Sequence, residues 1–281
     1  MSERTKGNAA ANEALDIAEI IRAIHERSPN GLKIITSFKD KFNLEITDAR
    51  ARKGPSRGTH YDFEILVNGE WKHVEHKGSK DLCTIKPEDK PWVAGVQFAN
   101  MGCEKWSLAK KFAHIWYDLY IGSGEFKKEW NLTAPIPTFD EWFQDDCKVQ
   151  GDPKTLFGSE LKKKVRAQRG ARSSLLEKRA AVLSSLECDA TDIETLKKEV
   201  LSIANLVLLE KDYWLVIRGD VKGEFNVAWY PKFTIENINE VVITKNLDLE
   251  IEFCCNNGFR FNGLLRWGKG AGFSNLRLDL K

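Results

Sequence analysis

The chain has 281 residues, 42% hydrophobic and 30% charged, with a formal net charge of +2. That balance suits a folded globular protein of one large or two small domains; it excludes a disordered chain and gives no bulk attraction to a polyanion, so any nucleic-acid contact must come from local charge clusters. No apolar run approaches the roughly 20 residues of a membrane span and the polar start has no signal-peptide core, so the protein is expected to be cytoplasmic or otherwise intracellular, with its six cysteines reduced.

Residues 1–12 read as a flexible start. Over 12–27, Leu15, Ala18, Ile21 and Ile24 recur at helical spacing and predict an amphipathic helix, ended by Ser28-Pro29-Asn30-Gly31. Residues 32–42 suit a second helix, and 44–49 alternate as a short strand. Residues 50–58 form a loop broken by Gly54, Pro55 and Gly58 and carrying Arg50, Arg52, Lys53 and Arg57. Residues 60–67 and 70–78 flank Asn68-Gly69, the pair best suited to a type I′ turn because both central residues take positive φ, and so predict a hairpin.

Farther on, 104–121 space Trp106, Leu108, Ala109, Phe112, Ile115, Trp116 and Leu119 as a largely buried helix, expected to pack on the hairpin's sheet. Residues 131–153 are a long connection or small insertion. Residues 156–209 predict two helices, with a break near 187–192 and an N-cap at Thr191 or Asp192. From Tyr213 onward, 214–217, 225–229, 240–243, 249–253 and 275–280 read as strands. The expected fold is mixed α/β, with a first domain over 13–155 and a helical and β-rich region over 156–281.

The hairpin carries the chemistry. Counting outward from the turn pairs Ile65 with Lys72, Phe63 with Val74 and Asp62 with Glu75. Alternation then puts Tyr61, Phe63, Ile65 and Val74 on one face and His60, Asp62, Glu64, His73, Glu75 and Lys77 on the other. Two carboxylates on β-carbons about 5 Å apart repel by roughly 1 kcal/mol in water and roughly 3 kcal/mol at an effective dielectric of 20. A divalent cation reverses the sign of that interaction. Mg²⁺ prefers oxygen ligands and shares coordination with waters and phosphate, which suits this pair.

Asp62, the hairpin and Glu75-His76-Lys77 resemble the D…(D/E)xK motif of the PD-(D/E)XK nuclease superfamily, best known for restriction endonucleases, over roughly the first 120 residues. The resemblance implies a restriction-endonuclease-like core over 13–155, a central mixed sheet flanked by helices, with 156–281 binding DNA, making a dimer or completing the core, Asp62 and Glu75 holding Mg²⁺ (Mn²⁺ substituting) and Lys77 positioning or activating the attacking water. The His76 backbone carbonyl would add an oxygen ligand. Glu64 is a secondary candidate, and Glu19 another, because in the family an acid from the first helix sometimes completes the site. Two departures stand: Tyr61 occupies the place of the motif's proline, and Gln97 is followed by Met101 where the exonuclease branch has tyrosine, which favours an endonuclease. The tail from Leu265-Arg266-Trp267-Gly268 to Asn275-Leu276-Arg277 also resembles the Arg-Trp and Gly-rich endings of some type II restriction enzymes.

Double-stranded DNA is the expected partner, met by Arg50, Arg52, Lys53 and Arg57. Lys162, Lys163, Arg166 and Arg169 on a predicted helix either follow a phosphate backbone or form a solvated face. A homodimer would let two sites address opposite strands. The alternatives are a structure-selective or repair nuclease with the same chemistry, and a non-catalytic DNA-binding protein. Residues 268–272 are glycine-rich but precede a strand rather than a helix, so they read as a turn and not a phosphate-binding loop.

Overall fold

The computed structural model describes residues 9–53, 60–85, 99–168, 171–245, 248–256, 258–267 and 274–280. Among them are eight α-helices and two five-stranded sheets, a mixed α+β fold. The first elements are α1 (Ala9–His25), α2 (Pro29–Phe42), β1 (Ile46–Ala51), β2 (Phe63–Val67) and β3 (Glu70–Ser79). Then come β4 (Ala99–Gly102), α3 (Ser107–Trp116), α4 (Glu125–Glu129), α5 (Phe139–Trp142), α6 (Leu156–Ala167), α7 (Ala171–Ser185) and α8 (Ala190–Leu209). The chain ends with β5 (Tyr213–Gly219), β6 (Phe225–Pro231), β7 (Ile238–Lys245), β8 (Leu249–Cys255), β9 (Arg260–Trp267) and β10 (Leu276–Leu280).

Two compact units emerge: Met1–Phe98 with Asn205–Thr234, and Ala99–Ala204 with Ile235–Lys281. The boundary expected at 155/156 is not where the chain changes unit. The reason is β pairing: β3 takes a parallel neighbour, β5, and a parallel partner needs a long crossover that sequence alternation does not reveal. Residues 9–12, expected within the flexible start, are the first turn of α1.

In the first unit the sheet order is β1-β2-β3-β5-β6, antiparallel throughout except for β3 with β5. One face packs on α1 and α2 through Ile24, Phe38, Phe63, Ile65, Val74, Leu215 and Trp229. Phe38 meets Trp229 edge-on at 5.0 Å between centroids, and the Trp229 indole N–H donates to the Ile34 carbonyl at 3.2 Å. Ser28-Pro29-Asn30-Gly31 starts a helix as well as ending one: the Ser28 hydroxyl accepts the Gly31 N–H at 3.2 Å and Pro29 occupies the first turn of α2. The Asn68-Gly69 turn has φ of 50° and 80°, the predicted mirror-image turn.

The second unit's sheet runs β4-β10-β9-β8-β7, antiparallel throughout. α3 belongs here, not on the hairpin's sheet: it packs on β10 and α7, and Trp116 meets Trp267 of β9 at 5.5 Å between centroids. The 156–209 stretch forms three helices rather than two. The cap of α8 is Asp189, whose Oδ1 accepts the Asp192 N–H at 2.8 Å while Asp192 Oδ2 accepts the Asp189 N–H at 3.1 Å. Among the described residues no helix is long and apolar enough to cross a membrane.

Candidate active site

The turn fixes the register Val67 with Glu70, Ile65 with Lys72 and Phe63 with Val74, as counted from the sequence, and there the ladder stops. Asp62 precedes β2; its backbone N–H donates to the Val74 carbonyl at 2.9 Å, while its carboxylate stands in for the missing strand, Oδ2 accepting the His76 N–H at 2.7 Å. Asp62 and Glu75 are therefore not a facing cross-strand pair, which corrects the expected geometry. Asp62 lies at the open edge of β3 and lines a cavity with Glu13, Ala14 and Ile17 of α1. Tyr61 also leaves the expected face. It stacks on His73 at 3.9 Å between centroids and its hydroxyl donates to Glu64 at 2.9 Å, because residue 61 lies outside the strand whose period would set it beside Phe63.

A residue's N–H and C=O leave an extended strand toward the same neighbour. The His76 carbonyl therefore faces the edge that Asp62 occupies, since the His76 N–H points there.

Glu75 is buried, and both its oxygens are held by ammonium groups: Oε1 lies 2.6 Å from Lys77 Nζ and Oε2 lies 2.9 Å from Lys211 Nζ. Lys211 is 2% exposed and its ammonium sits 4.7 Å from the Trp214 ring centroid. Pairing of β3 with β5 sets Glu75 opposite Trp214 and so brings Lys211, three residues earlier, to the carboxylate. Asp212 anchors this junction by accepting the His73 N–H and donating its own N–H to the His73 carbonyl, each at 2.9 Å.

Burial, then the Glu75 charge, raises the Asp62 pKa from 3.8 to about 7, against the pull of the His76 N–H and Lys77. Burial works the same way on Glu75, but Lys211 and Lys77 outweigh it and hold that carboxyl below its ordinary range. The two lysines shift in opposite directions although they share one carboxylate. Burial lowers both; Glu75 with help from Asp62 more than offsets it at Lys77, which is raised, whereas Lys211 is also repelled by Lys77 and stays lowered. For His76, burial and then Lys77 bring the pKa down to about 4, so its imidazole is neutral at neutral pH.

No protein-family model, curated protein or solved structure matches this chain. Among the described residues no group of three or more His, Cys, Asp or Glu side chains is arranged to hold a metal ion. A hard divalent ion that keeps several waters needs only one or two carboxylates. Asp62 supplies one at a strand edge that also presents the His76 carbonyl. These two oxygen donors are of the kind Mg²⁺ takes, while both Glu75 oxygens are engaged by lysines.

The other sequence candidates fall elsewhere. Glu64 is not an open ligand: Arg50 Nε, the Tyr61 hydroxyl and the Lys53 N–H all donate to its buried carboxylate. Glu19 pairs with Arg22 at 2.5 Å and Lys222 at 3.5 Å; the α1 acid whose charge reaches Asp62 and Lys77 is Glu13, six residues earlier. Arg50, besides Glu64, lies over the Trp71 ring at 3.7 Å, and Arg52 donates to the Tyr61 carbonyl at 3.1 Å. These two basic residues brace the hairpin rather than project from it, while Lys53 is exposed. Lys162 of α6, in the second unit, pairs with Asp152, and Lys163 and Arg166 are exposed. Arg57, Arg169 and the glycine-rich 268–272 lie outside the described residues.

Lys211 is the residue that sequence reading missed. Its segment, Glu210-Lys211-Asp212, announces itself only as a charged link between a helix and a strand. A lysine two residues before an apolar strand is a weak signal, and only the parallel pairing gives it meaning.

Proposed function

We propose that the first unit carries the active centre of a divalent-metal-dependent nuclease acting on DNA, of the plan that the PD-(D/E)XK resemblance implies. The observation that carries this reading is the convergence of Asp62, the His76 carbonyl, Glu75 and Lys77 at one edge of β3. Held by the two acids and that carbonyl, Mg²⁺ or Mn²⁺ would polarise the scissile phosphate and lower the pKa of a bound water. Lys77 presents a charge that can orient the water or stabilise the developing negative charge on phosphate. Lys211 keeps the second Glu75 oxygen engaged when Lys77 turns to substrate. Glu13 adds negative potential on the α1 side.

The finer form of the proposal is a sequence-specific endonuclease of the type II restriction class, working as a homodimer whose two centres address opposite strands. The test is digestion of a defined DNA with and without Mg²⁺ by the wild-type chain and by Asp62→Ala, Glu75→Ala and Lys77→Ala, with the fragment ends sequenced. Metal-dependent cutting at one recurring sequence, lost in all three variants, is the expected result. Cutting governed by DNA structure instead of sequence would move the assignment to a repair nuclease, and no cutting would remove the reading.

One observation favours a second reading. Both Glu75 oxygens are already satisfied by lysines, as in a structural ion cluster. A non-catalytic DNA-binding protein would show salt-sensitive binding without metal-dependent cutting, unchanged by Asp62→Ala.

A further inference from the structure

β3 and β5 run parallel, and beyond their carboxyl ends opens a cavity of about 340 Å³. Open sheets bind ligands in such places because strand ends leave backbone and loop groups convergent and uncovered. Its wall includes His76, Lys77 and Gly78 of β3, Lys80 just after it, Asp220 just after β5, and Asp16 and Glu13 from α1.

His76 is the unusual member. It is 4% exposed, and its Nε2 has no hydrogen-bond partner. A buried polar atom left without a partner is unfavourable and ready to take one. The ring is kept where it is by the absence of a side chain at Gly78: a β-carbon there would lie 2.8 Å from its Cε1 and 3.1 Å from its Nε2. An imidazole Nε2 can donate or accept according to its tautomer. Around it the wall carries both signs of charge, ammonium groups from Lys77 and Lys80 and carboxylates from Glu13, Asp16 and Asp220. A simple anion would be repelled by the acids and a simple cation by the lysines. A molecule with an anionic end and an amine-bearing end satisfies both, and a cavity of this size holds one such molecule. A nucleotide has that form: its phosphate suits lysine, and the exocyclic amine of cytosine, adenine or guanine donates to a carboxylate.

We propose that this cavity is a subsite for a single nucleotide bearing an amino-substituted base, with His76 Nε2 hydrogen-bonding the base and Lys77 and Lys80 facing the phosphate. The proposal rests on the nuclease reading only for its biological setting. Lys77 belongs to both places, so a nucleotide here is the neighbour of the phosphate to be cut, turned out of the stack to reach the cavity.

The probes are dCMP, dAMP, dGMP and TMP, added to the full chain in metal-free buffer, with the ring nitrogens of ¹⁵N-labelled histidine followed by NMR. The three amine-bearing nucleotides are expected to shift the His76 signals, and TMP to bind about fivefold or more weakly, a difference of the size one hydrogen bond gives. Gly78→Val, which drives the ring out of place, is expected to weaken binding about tenfold. Its thermal unfolding is recorded alongside, and His76→Leu serves as a second variant that leaves Gly78 untouched. The idea fails if no nucleotide moves the His76 signals, so that the cavity holds water only, or if both variants bind as the wild type does. The outcome is separable from the nuclease reading: nucleotides that bind to a chain that cuts nothing leave the subsite standing, and cutting without mononucleotide binding removes the subsite alone.

Discussion

Lys211 Nζ lies 2.9 Å from Glu75 Oε2, on the carboxylate oxygen that Lys77 leaves free, and both partners are almost wholly buried. Removing one member of a buried ion pair strands the other, at a cost of about 3–5 kcal/mol, whereas replacing both by apolar groups is often neutral. Glu75→Leu strands both Lys77 and Lys211 and should lower the urea midpoint strongly, Lys211→Met leaves Glu75 paired with Lys77 and should cost less, and adding Lys211→Met to Glu75→Leu should restore part of the loss. Additive losses in this cycle would mean that the two groups do not act on each other.

Two groups at the same strand edge should give opposing pH dependences in the metal-free protein. Asp62 has its pKa raised from 3.8 to about 7, so between those values the folded state holds a proton that the unfolded state has lost, and stability falls as pH rises. His76 has its pKa lowered from 6.5 to about 4, so over that range the unfolded state binds the extra proton, and stability falls as pH drops. The slopes oppose each other between pH 4 and 6.5, each at most about 1.4 kcal/mol per pH unit. Asp62→Asn should therefore make stability climb with pH across that window, and His76→Leu should make it decline. Chemical unfolding at several pH values reads both, and variants whose slopes match the wild type would contradict the shifts.

The basic residues separate into bracing and solvated ones. Arg50→Ala strands the buried Glu64 carboxylate and removes a cation from the Trp71 face, which should cost about 3 kcal/mol or more. Lys163→Ala and Arg166→Ala alter exposed positions and should stay within about 0.5 kcal/mol. DNA affinity measured against salt then shows whether those two exposed charges meet phosphate: each substitution that removes a charge facing phosphate should make the salt dependence shallower by about one unit of slope.

The hairpin was legible in the sequence because a two-residue turn with positive φ at Asn68 and Gly69 admits few alternatives and fixes the register from Val67 with Glu70 to Phe63 with Val74. The period-2 rule failed where the strand ended. Tyr61 and Asp62 were assigned faces by counting two and one residues past Phe63, into chain that turns away from the ladder. Glu19 and Glu13 show another limit: periodicity identifies the helix but not which of its turns passes the strand edge. Lys211 and the parallel β3·β5 pair were out of reach because a crossover of more than a hundred residues leaves no local mark on either strand. β9 was missed although Phe261, Leu265 and Trp267 alternate inward, since its solvent-side residues include Leu264 and blur the pattern.

Gly31 tests whether α1 must lie where it does. Asn30-Gly31 reads as a turn, yet Gly31 is inside α2, and a β-carbon there would sit 1.8 Å from the Ala23 carbonyl oxygen and 2.3 Å from its carbon. Those are backbone atoms, so no rotamer change relieves the clash, and the crossing of α1 on α2 must open. Gly31→Ala is expected to cost about 3 kcal/mol, at the upper end of overpacking effects. Gly69→Ala is the control: nothing lies within 4 Å of its β-carbon, so only its φ of +80° is penalised, at about 1–2 kcal/mol. The two substitutions should differ in place as well as size. Because α1 carries Glu13 to the cavity that Asp62 lines, Gly31→Ala should speed amide exchange along α1 and lower the Asp62 pKa, as burial is lost and an acidic neighbour withdraws. Gly69→Ala should leave both unchanged. Equal exchange along α1 in the two variants would mean that the close helix crossing does not hold α1 over the strand edge.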